Sequence, residues 1–537
     1  MNPGHDGAVA VLDGRRLEYC LESEKDSYIR HKVVTPQTIL QAAELIGAVP
    51  DIVALGGWQG RIQPAQTAAP VGRRRQNSPG GWYSGIDRLS SRPARFFGKE
   101  VTMFTSSHER SHLMTALGMA PAGGEAEEAV LIWEGYLGSF ALITDRSQVV
   151  RDIPVLTHPG GRYALVYGIA HPFVPDASGP AADWAGKLMA LAAYGDPQAA
   201  DAEIRQIVDR LLAPDLPLDK REFAGTSLYN AGVESDVCKI TAALLTHRMF
   251  ELFAAKAERE IPRGLPLRIS GGCGLNCDWN TMWRELGHFS SVFVPPCTND
   301  SGSALGTAID ALAQATGDPH IDWDVYRGLE FESDTQPDPA VWRLRPRDPS
   351  ALAAALGDGR VVAWVEGRCE MGPRALGHRS LLAEPFSAQT TDTLNGIKKR
   401  EAYRPIAPVC RLEDAAAAFK EDFADPYMLY FRHVRAPNLR AVTHVDGSAR
   451  AQTVTSASNP ALHELLTAFG RRYGIGVLCN TSLNFPGCGF INRLSDLVRF
   501  CDDRGIDDFV VDHQWYQRAA ADGGGGADGG GGVAAGR

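Results

Sequence analysis

Apolar and polar positions change period several times along the chain, and each change marks an element. Ala8–Leu12 and Arg15–Leu21 are apolar-rich runs separated by Asp13-Gly14, a pair suited to a tight hairpin turn. Pro36–Ile46 carries helical spacing and Asp51–Leu55 reads as a strand. Val101–Thr105 predicts a strand, Ser107–Leu117 a helix, and Ala129–Trp133 and Ser139–Thr144 further strands. Leu267–Ser270 and Ser291–Pro295 follow, each leading into a helical run, the second being Ser303–Ala315. Strands alternating with helices predict α/β layers. In Glu332–Ser350 proline and charge replace apolar periodicity, which marks a domain boundary. Val361–Val365 and Val477–Leu478 then open new strands. The expected division is a first domain over residues 1–335, a linker over 336–350, a second domain over 351–520 and an unstructured Gly-rich tail over 521–537.

Length fits more than one domain at about 100–200 residues each, with no need of staples. The formal net charge is −10, so no global basic field exists to hold nucleic acid or an anionic membrane, and a phosphate site must be a local pocket. No run of about 18 apolar residues is present, and the opening residues carry no basic-then-apolar leader. The ten cysteines are scattered without a CxxC pair, which predicts reduced thiols in a cytoplasmic enzyme.

His108 and His112 stand four apart, on one face of the predicted helix, the spacing two imidazoles need to share a metal. The string His108-Glu109-Arg110-Ser111-His112 matches the HExxH pattern of zinc proteases, with Glu109 as general base. The metzincin extension fails, because Thr115 and Gly118 occupy its Gly and His positions. Glu134 and Asp300 can add carboxylate oxygens, and two imidazoles with two oxygens suit iron, manganese or zinc. The bland alternative is a pair of surface histidines. Between Arg368 and Arg404 seven Lys or Arg residues face four acids, interspersed with Gly and Ser. Arginine forks, hydroxyls and backbone N–H groups of that kind suit phosphate oxygens. The bland alternative there is a solvated charged face.

Gly4-His5-Asp6-Gly7, the two-histidine helix, Ser270-Gly271-Gly272-Cys273-Gly274-Leu275-Asn276 and Asp300-Ser301-Gly302 occur in that order. Together they resemble an actin-like ATPase fold (Kae1-like, duplicated ribonuclease-H-like). More narrowly, they are similar to the Kae1-like domain of the carbamoyltransferase family that includes nodulation protein U and antibiotic carbamoyltransferases. Gly372-Pro373-Arg374-Ala375-Leu376-Gly377-His378-Arg379-Ser380, Lys398-Lys399-Arg400-Glu401 with Tyr403-Arg404-Pro405, His444–Arg450 and Asn480–Asn484 resemble that family's α+β YrdC-like domain. The resemblance covers nearly the whole chain except the tail.

The resemblance implies an O-carbamoyltransferase. Carbamoyl phosphate and ATP, the latter with Mg2+, are the expected co-substrates. In the YrdC-like domain, carbamate passes to the α-phosphate of ATP, giving carbamoyl adenylate and pyrophosphate. Arg368, Arg374, Arg379, Lys398, Arg400, Arg404, Arg450, Asn480 and Ser482 are the expected binding residues. In the Kae1-like domain Gly271, Gly272 and Asn276 hold the nucleotide. His108, His112, Glu134 and Asp300 hold a divalent transition metal, iron first, with manganese or zinc as alternatives. The family's third metal position is Asp, where this chain has Glu134. His5 is the expected base on the acceptor hydroxyl, with Asp196 in the Lys187–Asp196 string as a second candidate. The partner is a small-molecule alcohol, with residues 57–95 as the specificity loop. Family members carry an apolar strand before Gly4, whereas this sequence begins there, so a truncated first strand or a miscalled start is expected. The competing readings are an HExxH zinc metalloprotease, a non-catalytic actin-like nucleotide-binding protein and a tRNA threonylcarbamoyl enzyme. The last wants a basic stripe that the acidic balance argues against.

Overall fold

The structure, a computed structural model, describes residues 1–58, 82–121, 127–144, 147–176 and 179–519. The chain is mixed α/β. The opening hairpin pairs Ala8–Asp13 with Arg16–Glu22 across Asp13-Gly14. A three-stranded sheet has Lys99–Ser106 at its centre, parallel to Ile52–Gly56 and antiparallel to Leu89–Phe96. The last strand falls inside the segment expected to be an irregular loop. Its few apolar residues and Pro93 hid it, and both are tolerated because it is an edge strand. Residues 59–81 of that loop, and the tail from 520, lie outside the described residues.

A five-stranded sheet runs in the order Val292–Phe293, Leu267–Ser270, Glu127–Trp133, Gly138–Thr144, Gln148–Pro154. The last three are antiparallel neighbours; the first two add parallel to Glu127–Trp133. One face of this sheet packs on the long helix Asp236–Glu260 and on Trp279 and Trp283 from Cys277–Glu285. Trp133 stacks between Phe253 and Trp279, with centroids 4.6 and 4.5 Å away. That aromatic stack fixes the strand end from which the next residue, Glu134, projects.

The C-terminal half is built on an eight-stranded sheet, in the order Trp342–Pro346, Gln514–Arg518, Asp508–Val511, Val362–Val365, Arg379–Ala383, Val477–Ser482, Ala407–Arg411, Gln452–Val454. Its first strand lies in the stretch read as a linker. Trp342 is buried against Phe509, and Asp348 caps the next helix, Pro349–Gly357, so residues 342–350 belong to this half. Alternating Arg and apolar residues hid an edge strand of which one face is solvated.

Candidate active site

The helix His108–Met119 is capped by Ser107, whose Oγ accepts from Arg110 N at 3.1 Å, and every residue of it is buried. It lies against Ser301–Thr316 at close range: a Cβ on Gly306 would stand 1.8 Å from Ser111 O. Arg110 locks the pair with bonds of 2.7 and 2.9 Å to the buried Asp310 carboxylate. This packing sets both histidines beside Asp300, the residue before the second helix. Asn2, fully buried, donates to Asp300 O at 2.9 Å and to His5 O at 3.1 Å, tying the first turn of the chain to the same point.

Four side chains converge. His108 Nε2 lies 3.2 Å from His112 Nε2, 3.3 Å from Glu134 Oε2 and 3.6 Å from Asp300 Oδ2. His112 Nε2 lies 3.4 Å from both carboxylates. All four are buried, and Asp300 Oδ2 has no hydrogen-bond partner among the described residues. Edges of this length are what ligand atoms about 2.0–2.2 Å from a shared centre span, so the residues fit a divalent metal. His112 Nδ1 rests 3.2 Å from Ser270 Oγ, and Tyr83 donates to Glu134 Oε1 at 2.6 Å while stacking on His108. Against the cost of burial, the Asp300 and Glu134 carboxylates raise His112 to about 9, and His108 and His112 hold Glu134 well below its usual value. The proton on His112 thus stands where a cation would, and binding one would displace it.

His5 adjoins this group, with Nε2 3.3 Å from Asp300 Oδ2 and Nδ1 2.9 Å from Asp6 Oδ2. Asp6 also meets His31 Nδ1 at 2.9 Å, and His31 Nε2 lies 3.3 Å from Asp183. The two 2.9 Å contacts to Asp6 have hydrogen-bond lengths. Burial opposes it, but Asp300 and Asp6 raise His5 to about 9. A cation on the Asp300 and Glu134 carboxylates removes part of the charge that lifts it.

A second cluster has the opposite character. Burial, then the charges of Arg450, Arg30 and Arg404, push Arg374 down to about 9. Burial with Arg404 and Arg450 does the same to Arg400. Lys398 is held well below its usual value by burial and by Arg400, Arg404 and Arg30. Six basic groups that oppose one another's charge, with little acid among them, are the kind of surroundings that suit an anion. The two clusters meet at one loop: Arg374 Nη2 donates to Leu275 O at 2.9 Å, in the turn that follows Ser270.

The carbamoyltransferase N-terminus family matches residues 93–309, and the carbamoyltransferase C-terminus family matches residues 353–518. The chain belongs to the carbamoyltransferase family. It is 59% identical over 522 residues to a 3'-hydroxymethylcephem-O-carbamoyltransferase of Streptomyces clavuligerus, covering 96% of this chain and 98% of that one. A protein of the same name from Amycolatopsis lactamdurans is also 59% identical over 521 residues, covering 96% and 98%. Nodulation protein U of Sinorhizobium fredii is 32% identical over 543 residues, covering 90% and 93%.

The other expected site residues of this carbamoyltransferase divide. Arg368 is spent on structure: it donates to Gly328 O, Glu18 O and Arg327 O and lies over Tyr19. Arg379 is fully buried, with its donors taken by Glu366 O, His378 O, Gly367 O and Asn492 Oδ1, so none remains for a phosphate. Asn480 is buried and donates to Ala375 O and Gln452 Oε1, while Ser482 donates to Asn484 Oδ1 beside Lys398. Gly271 is required because a Cβ would stand 2.4 Å from Trp133 O, whereas one on Gly272 would meet open space. Asn276 caps Cys277–Glu285 through its Oδ1. Asp196 is exposed and caps a short turn at Gln198 N, and it is not among the four converging side chains. Glu109 faces away from the histidine pair and accepts from Gly85 N at 2.8 Å, so the HExxH match has no base at the metal group.

Asn2, Tyr83 and Arg30 were missed. Each is a lone residue in an irregular segment, with no motif to mark it; Arg30 is exposed in a loop whose backbone bonds Gly487 O.

Proposed function

We propose that the chain transfers a carbamoyl group to the hydroxymethyl oxygen of a cephem, in two steps at the two clusters. The carrying observation is the pairing of a four-ligand metal group with a cation cluster across the Gly271–Asn276 loop. The names of the 59% identical relatives support the cephem as acceptor.

The cluster of basic groups, five from the YrdC-like half with Arg30 from the N-terminal half, binds carbamoyl phosphate and the polyphosphate of Mg2+-ATP. Water first releases phosphate and carbamate from carbamoyl phosphate. The carbamate oxygen then bonds to the α-phosphorus of ATP as the bond to pyrophosphate breaks, and clustered cations offset the charge. The adenylate lies along Gly272 toward the Kae1-like half. There His108, His112, Glu134 and Asp300 would hold a divalent metal, iron first, with manganese or zinc also suited to the donor set. Such an ion would supply Lewis acidity at the mixed anhydride of carbamoyl adenylate. An aromatic wall of Trp58, Tyr83, Tyr136 and His158 runs from His5 past the group, with successive centroids 4.9 to 5.9 Å apart, and offers apolar faces to an acceptor's ring system. His5 Nε2 takes the hydroxyl proton as the oxygen attacks the carbamoyl carbon, and AMP leaves. The ten unpaired cysteines support work in a reducing cytoplasm.

The test is incubation with carbamoyl phosphate, ATP, metal and a 3-hydroxymethylcephem, followed by mass spectrometry. A carbamoylated cephem with AMP and pyrophosphate is expected; ADP formation, or transfer without ATP, contradicts the two-step reading.

A further inference from the structure

The helix Ala182–Ala192 reaches the cation cluster from the N-terminal half. Lys187 Nζ lies 2.7 Å from Glu401 Oε1, and Tyr194 beyond the helix donates to Tyr403 O at 3.3 Å. Glu401 sits between Arg400 and Arg404 in the chain, and it is the carboxylate whose charge opposes the cluster at both arginines. Its second oxygen stands only 3.7 Å from Arg404 Nη1. A carboxylate this close to a guanidinium competes with phosphate oxygens for the same fork. The shorter bond to Lys187 holds it at the edge of that reach.

We propose that Lys187 is a positioning residue: it restrains Glu401 and so leaves the Arg404 guanidinium free for the phosphate groups of carbamoyl phosphate and ATP. The role rests on assigning the cation cluster to those ligands. It also gives the Lys187–Asp196 string a purpose at its first residue rather than at Asp196. Without Lys187, Glu401 closes on Arg404, and an arriving phosphate must displace an acid as well as water.

The experiment compares Lys187→Met, Glu401→Gln, their double variant and Arg450→Ala. Methionine keeps an apolar stem beside Tyr167, whose ring centroid is 5.6 Å from Lys187 Nζ. Readouts are KM for carbamoyl phosphate and kcat in overall transfer, and calorimetric affinity for pyrophosphate. Lys187→Met should raise KM and weaken pyrophosphate binding by about two- to fivefold, the range for a partly exposed ion pair, with kcat within about twofold. Glu401→Gln should hold or lower KM, and the double variant should match Glu401→Gln. If the double variant stays as weak as Lys187→Met, the effect does not pass through Glu401 and the role is refuted. The same follows if Lys187→Met leaves KM and pyrophosphate affinity unchanged while Arg450→Ala shifts both. An unchanged KM and affinity in Arg450→Ala removes the phosphate site itself, and the role with it.

Discussion

The two clusters are electrostatic opposites held in different ways. The metal group carries its own balance, two carboxylates against two imidazoles, and lies wholly inside packed helices and strand ends. The cation cluster is unbalanced, with six basic groups and Glu401 as the acid between two of them, and it stands on loops and helix ends. The first is pre-built: the Trp133 stack, the Gly306 contact and Asn2 fix its ligands before any ion arrives. The second sets like charges against one another, which a bound anion would offset. A rigid balanced site suits a resident cation, whereas an unbalanced site on loops suits substrates that must enter and leave.

The largest expected effect breaks the balanced side. His108→Ala and His112→Ala should each lower metal content, measured by elemental analysis, and reduce transfer by about a hundredfold or more. Tyr83→Phe removes the hydrogen bond that aims Glu134 and should weaken metal affinity by about tenfold with the fold intact, read by metal titration of the apo protein. Protonation sharpens the same point. His112 is protonated below about 9 without metal, so the cation must displace its proton. Apparent metal affinity should therefore rise with pH up to about 9, by about tenfold per pH unit for each proton released, and flatten above. The smallest effect is expected for Glu109→Gln, whose oxygen still accepts from Gly85 N: transfer should stay within about twofold of wild type, against collapse for Glu134→Gln.

Much of this was readable in the sequence because it rests on short spacings. The helix at His108 starts within one residue of expectation, since Ser107 is a cap, and the i, i+4 rule puts both histidines on one face. Glu109, one residue past His108, turns off that face and accepts from Gly85 N. Edge strands at Leu89–Phe96 and Trp342–Pro346 were missed because half-solvated strands carry a weak apolar signal. Arg368 and Arg379 sit in the right block, yet their donors go to carbonyls: composition marks a basic loop but not which arginines face inward. Asp196, the second candidate base, is an exposed cap on Gln198 N. Tyr83 and Arg30 act through contacts distant in sequence, which no local pattern encodes.

The central claim is that the two clusters perform separable half-reactions. Arg450→Ala and His112→Ala should be assayed side by side for carbamoyl-phosphate-dependent ATP–pyrophosphate exchange and for transfer from added carbamoyl adenylate. Arg450→Ala is predicted to lose exchange yet keep transfer, and His112→Ala to keep exchange yet lose transfer. Equal loss of both activities in each folded variant would contradict the division.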